Sequence, residues 1–165
     1  MIWNEILCLG DSLTYGARDR YGRSYPAELG KILSEKTGEF YICHNYGING
    51  ETSSDLLRRS WAIMKSNRSC KIMLLLIGTN DTKKPMPVEV YKDNLRQIIT
   101  SARANGMTPI VGTYSKEIIK LSKELNFEVC DMSKMDPYLI DGVHFDNEGY
   151  HEMASRFSEK VLSMK

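Results

Sequence analysis

The stretch Lys71-Ile72-Met73-Leu74-Leu75-Leu76-Ile77, closed by Gly78-Thr79-Asn80-Asp81, decides the fold. Its apolar residues run without alternation, as in a strand buried on both faces; a strand with one wet face alternates apolar and polar residues. Such a strand belongs at the centre of a parallel sheet with helices on both sides. Glycine and small polar residues at its carboxyl end mark the rim where open α/β sheets bind ligands.

Working outward, Glu5 to Gly10 reads as the first strand, and Thr14 to Ser24 as a loop. A helix follows, with Ser24 as cap, Pro26 in its first turn, Leu29, Ile32 and Leu33 on its buried face and Gly38 at its end. Tyr41 to Tyr46 is the second strand. Thr52, Ser53 or Ser54 caps the next helix, whose apolar stripe is Leu56, Leu57, Trp61 and Met64. Beyond the central strand, Val88, Tyr91, Leu95, Ile98 and Ala102 recur at helical spacing up to Asn105-Gly106. Thr108 to Thr113, Ser115 to Leu125 and Phe127 to Asp131 give strand, helix and strand. An irregular segment with Asp141-Gly142-Val143-His144 precedes a last helix from about Asn147. Strands alternate with helices throughout, so the expectation is one doubly wound α/β domain over residues 1–165 with a parallel sheet.

Composition sets bounds on function. Hydrophobic residues make up 42% and charged residues 26% of the 165-residue chain, with a net charge of +1. That balance offers no field for nucleic acid or for an anionic membrane surface. No apolar run is long enough to span a bilayer, and Met1 to Glu5 leads into the first strand without a secretory pattern, so a cytoplasmic location and no membrane insertion are expected. Cys8, Cys43, Cys70 and Cys130 are scattered without CxxC spacing, which supports neither a metal nor a redox motif. His44 and His151 form no metal spacing with carboxylates and read as structural.

Ser12, Gly50, Asn80 and His144 lie far apart in sequence, yet each follows a strand or the final irregular segment, and a doubly wound sheet gathers such positions at one rim. A serine hydroxyl needs a base within hydrogen-bond reach to act as a nucleophile. Imidazole, which titrates near pH 6.5, suits that task, and a carboxylate such as Asp141 orients the ring. Asp11 and Asp81 read as acceptors that organise their loops.

Four ordered blocks carry a family resemblance: GDSLTYG at 10–16, NYGING at 45–50, GTND at 78–81 and DGVH at 141–144. Together they resemble the SGNH, or GDSL-type, hydrolase superfamily, from the first strand almost to the final helix. The resemblance implies a flavodoxin-like three-layer α/β/α sandwich with a five-stranded parallel sheet in order 2-1-3-4-5, and serine esterase activity through an acyl-enzyme with no cofactor and no metal. By position, Ser12 matches the nucleophile, His144 the base and Asp141 its orienting acid. The Ser12 amide, the Gly50 amide and the Asn80 side chain match the oxyanion donors. Gly47 competes with Gly50 for the backbone role, and the spacing to Glu51-Thr52 favours Gly50. Glu51 stands where aspartate is common in the family, and it carries no role in the expected site.

The expected partner is a small-molecule ester. Short loops after the fourth strand point to an open pocket and to small acyl groups, such as acetyl esters of a carbohydrate; lysophospholipase and thioesterase activities are the alternatives within the superfamily. Tyr15, Arg18 and Lys83 are candidate substrate contacts near the mouth, with Tyr21 close by and Tyr25 equally suited to the entrance or to the core. From another class, a receiver-like phosphoacceptor domain is loosely imitated by Asp11, Asp81, Thr113 and Lys134, although only one acid follows strand one.

Overall fold

The computed structural model describes residues 3–84 and 86–165, with the backbone alone at residue 3. Met1 and Ile2 of the leading segment and Pro85 of the loop before the fifth helix lie outside the described residues. The elements are β1 (Trp3–Gly10), α1 (Ser12–Tyr15), α2 (Tyr25–Thr37), β2 (Phe40–Gly47), α3 (Ser53–Ser66), β3 (Ile72–Leu76), α4 (Thr79–Lys83), α5 (Val88–Ala104), β4 (Thr108–Thr113), α6 (Lys116–Leu125), β5 (Glu128–Asp131) and α7 (Asn147–Ser163). The five strands pair in parallel in the order β2-β1-β3-β4-β5.

Side chains alternate across the sheet because successive residues of a strand point to opposite faces. Ile6 and Cys8 of β1, with Leu74 of β3, face Leu29 and Leu33 of α2 and Tyr150, Met153 and Phe157 of α7. Leu7 and Leu9, with Met73 and Leu75, face Leu56 and Met64 of α3, Leu95 and Ile98 of α5 and Leu121 of α6. Two cores therefore sandwich the sheet. Each fully buried Leu, Ile or Phe contributes roughly 1.5–3 kcal/mol of burial free energy, which is why the continuous run in β3 dictates a covered central strand.

Two expectations shift and one alternative is settled. Trp61 is 49% exposed and Val88 51% exposed, although both carry the helical apolar period; periodicity names a face, but whether a neighbour covers that part of it is a tertiary matter. Tyr25, which the sequence leaves open between the entrance and the core, belongs to the core: it is fully buried and stacks on Phe157 with ring centroids 5.0 Å apart. The loop expected from Thr14 begins two residues earlier as the four-residue helix α1, too short to show an apolar period.

Candidate active site

The carboxyl ends of β1, β2 and β3 set the stage. Gly10, the last residue of β1, has no room for a side chain: a Cβ there would collide with Thr14 and with the Leu76 carbonyl. Gly47 at the end of β2 likewise packs against the backbone of Tyr15 and Asp11. These close approaches place α1 directly on the sheet rim. Asp11 caps it, its Oδ1 accepting from the Leu13 N–H at 3.0 Å, and Asn45 of β2 donates from Nδ2 to the Thr14 carbonyl at 2.9 Å. Ser12 opens this turn and is 8% exposed.

His144 approaches from the far end of the chain. The Asp141 carboxylate does two jobs there. Its Oδ1 accepts from the backbone N–H groups of Val143 (3.1 Å) and His144 (2.7 Å), closing a tight turn in which Gly142 has φ +82°. Its Oδ2 lies 2.7 Å from His144 Nδ1. The backbone N–H of His144, then its ring, hold the Asp141 carboxyl well below the usual carboxylate range. An ionised carboxylate only accepts, so Nδ1 carries the proton and Nε2 presents its lone pair. That lone pair faces the Ser12 hydroxyl, with Nε2 and Oγ 3.1 Å apart. Ser12, His144 and Asp141 thus form one hydrogen-bonded chain.

The other two positions meet the same rim. Gly50 is exposed, with φ +79° and open space around its α-carbon, and among the described residues no protein group accepts its N–H. Gly47, its rival, donates its N–H to Asn45 Oδ1 at 2.9 Å and is spoken for. Asn80, in α4, donates from Nδ2 to the Glu51 carbonyl at 2.9 Å, which fixes the amide while leaving its second N–H available. The neighbouring Asp81 accepts from the Ser53 N–H (2.8 Å) and hydroxyl (2.5 Å), and Asn94 of α5 donates to Ser53 Oγ at 2.9 Å. This buried polar link ties α4 to the start of α3, where Thr52 and Asp55 form a reciprocal cap.

Asp11 is buried beside Ser12, and loss of water pushes its carboxyl up to about 6, partly offset by the Leu13 N–H. Asp11 and Asp81 therefore both serve backbone groups, the organising role read from sequence, and the acids of a receiver-like set are already engaged. Of the candidate substrate contacts, Lys83 lines the cavity described below, Tyr15 is exposed without lining it, and Arg18 lies against Asp141 with Nε 3.3 Å from Oδ2. The sequence assigns no role at the site to Asn45, Ser53, Asn94, Glu51 or Arg59, all of which hold the rim together. Among the described residues no three His, Cys, Asp or Glu side chains gather so as to hold a metal ion, and no helix is long and apolar enough to cross a membrane.

A cavity of about 870 Å³ is lined by Asp11 and Leu13, the two neighbours of Ser12, and not by Ser12 or His144 themselves. Leu13, Leu76, Met132, Met135, Leu139 and Phe145 supply much of its wall. Lys83, Lys84 and Lys134 line it too.

A parallel α/β sandwich with a Ser–His–Asp chain at the carboxyl rim defines a class. The comparisons place the chain within it. The model of the GDSL-like lipase/acylhydrolase family matches residues 8–117, and the chain belongs to that family. It is 30% identical over 108 residues to thioesterase 1/protease 1/lysophospholipase L1 of Escherichia coli K12, covering 66% of this chain and 50% of that protein. It is 27% identical over 107 residues to an arylesterase of Vibrio mimicus, covering 65% and 52%. The chain spans about half the length of the curated relatives it matches. Among solved structures, the psychrotrophic esterase EstA from Pseudoalteromonas superposes with a TM-score of 0.81 at 19% identity, over 98% of both chains.

Proposed function

We propose that this protein hydrolyses carboxylic esters through a covalent acyl-enzyme formed on Ser12. The observation that carries the reading is the continuous Ser12–His144–Asp141 chain, with contacts of 3.1 and 2.7 Å. Ser12 Oγ attacks the ester carbonyl while His144 Nε2 takes the hydroxyl proton. Asp141 holds the ring in the tautomer that can do so and stabilises the imidazolium. The carbonyl oxygen becomes an oxyanion, met by the backbone N–H groups of Ser12 and Gly50 and by the free N–H of Asn80 Nδ2. His144 returns the proton to the leaving alcohol, and a water activated by His144 then releases the acid from Ser12.

The cavity bears on the acyl group. Its aliphatic and thioether wall is larger than an acetyl group covers, so we assign it to a short to medium aliphatic acyl chain in preference to the acetyl esters of carbohydrates that the short loops suggest. Lys83, Lys84 and Lys134 line the same cavity, but Asp11, Asp81 and Asp136 line it too, so the wall offers no excess of positive charge to select an anionic group. Thioesters fit the same attack geometry, and the name of the Escherichia coli relative favours including them.

The test is a series of p-nitrophenyl esters from acetate to decanoate, with the matching thioesters, assayed on wild type and Ser12→Ala. Each methylene that enters the cavity removes about 0.8 kcal/mol of apolar hydration when fully buried, so kcat/KM should rise by up to about 4-fold per carbon until the cavity is filled. A steady fall from acetate onward would return the assignment to small acyl groups. Absence of turnover by wild type, or full activity in Ser12→Ala, would overturn the esterase reading itself.

A further inference from the structure

We infer that Arg59 and Glu51 are positioning residues for the oxyanion donors, an inference that rests on the esterase reading above. Neither touches the reacting atoms. Arg59 lies on α3 and Glu51 in the loop between β2 and α3, and their side chains are only 20% and 14% exposed. The Arg59 Nε lies 3.0 and 2.9 Å from the two Glu51 carboxylate oxygens, and Nη2 lies 2.8 Å from Oε2. The same Nη2 donates to the Tyr46 carbonyl at 2.7 Å and to the Gly10 carbonyl at 3.2 Å. These carbonyls sit at the ends of β2 and β1, where the sheet ladder runs out.

One guanidinium therefore joins three pieces of the rim: the end of the strand that leads into Ser12, the end of β2, and the loop that carries Gly50. A planar fork with several fixed donors suits this use in a way that an ammonium does not. The connection continues beyond the ion pair. Ile48 donates its N–H to the Gly10 carbonyl at 3.2 Å, and the Glu51 carbonyl accepts the Asn80 amide at 2.9 Å. Gly50 has open space around its α-carbon and a left-handed backbone, so packing does not hold it. Its N–H is placed through its chain neighbours, and Glu51, the next residue, is the one anchored by charge. Glu51 thus bears on both non-serine donors: its N–H closes on the Ile48 carbonyl, at 3.5 Å, the turn that carries Gly50, and its own carbonyl accepts the Asn80 amide. A buried pair of this kind is weak evidence for added stability, and a positional role gives it a reason to be there.

Arg59→Ala and Glu51→Gln, singly and together, test the inference on protein whose active sites are counted by labelling Ser12 with a p-nitrophenyl phosphonate. A misplacement of the order of 1 Å costs about 100-fold in rate. Arg59→Ala should lower kcat per labelled site by about 10–100-fold and Glu51→Gln by about 3–10-fold, with KM within about 3-fold of wild type. The inhibition constant of an alkyl boronic acid, whose adduct on Ser12 mimics the oxyanion, should rise in step with the loss of kcat. The double variant should be no worse than Arg59→Ala, because residues acting as one unit are not additive. Rates per labelled site within 2-fold of wild type, with only the melting temperature lowered, would overturn the inference. Should Arg59→Ala fail to fold, the same criterion on the isosteric Glu51→Gln decides it. Wild type that neither turns over ester nor takes the label would overturn the esterase reading, and this inference with it.

Discussion

Arg18 Nε and Asp141 Oδ2 lie 3.3 Å apart, on the same carboxylate oxygen that the His144 ring contacts at 2.7 Å. The guanidinium therefore draws on the charge that Asp141 offers the imidazolium. Arg18 is 63% exposed on its side-chain surface, so solvent and salt screen the effect. Removing it leaves more negative charge beside His144 and favours the protonated ring, which cannot act as base. Arg18→Ala is expected to move the acid limb of kcat/KM to higher pH by about half a unit or less, with the difference vanishing in about 1 M salt. A pH–rate profile at low and high salt checks it; a change in KM alone, with the limb unmoved, would make Arg18 a substrate contact.

Asp141→Asn keeps the shape of the turn but offers an amide where the ring needs an acceptor. The wrong His144 tautomer then faces Ser12, and kcat should fall by about 10²–10⁴-fold. Its carboxyl is held below its ordinary value, so the stability it contributes is present above the unfolded-state value near pH 4 and is lost as pH falls further. Acid unfolding of wild type and Asp141→Asn should differ in that acid range, and steady-state kinetics at pH 8 reads the tautomer effect separately.

Asn80→Ala removes the bond to the Glu51 carbonyl and, in the proposed mechanism, one oxyanion donor. The loss of one donor costs about 100–1000-fold in kcat, and KM should change little because the charge it meets exists only after attack. Pre-steady-state acylation with a p-nitrophenyl ester measures this step directly. An unchanged burst rate would remove Asn80 from the oxyanion hole.

Asp11 has the opposite pH signature to Asp141. Burial raises its carboxyl to about 6 from 3.8. Below about pH 4 both folded and unfolded states hold the proton; between about 4 and 6 the unfolded chain ionises first, so this group's contribution falls as pH rises, by about 3 kcal/mol once above 6. Asp11→Asn keeps an oxygen for the Leu13 N–H without the buried charge. Its melting temperature should exceed that of wild type at pH 8 and lose that advantage near pH 4. An equal difference at both values would show that the charge at Asp11 is already relieved.

The alternation of strands and helices was legible because its signals are local. Apolar runs ending in glycine mark β1 and β3, and the period of α5 marks a helix whatever surrounds it. The strand order and the meeting of Ser12, Asn80 and His144 at one rim followed from the resemblance and from the geometry of a doubly wound sheet. Trp61 and Val88 were misplaced because helical spacing does not say which part of a face is covered. Spacing favours Gly50 over Gly47 as the proposed donor, and only the structure shows that the Gly47 N–H is engaged, by Asn45.

What the sequence determined by itself is the architecture and the chemical types at the rim, since both depend on residue character and on order along the chain. What only the tertiary structure decided is which groups share a partner. Arg18 belongs with Asp141, 123 residues away, and not with the cavity wall. Glu51, which carries no expectation in sequence, is bound by Arg59 and holds Asn80. Hydrogen bonds and ion pairs act over a few ångströms, and those distances are set by how elements remote in sequence are brought together, which no local pattern encodes.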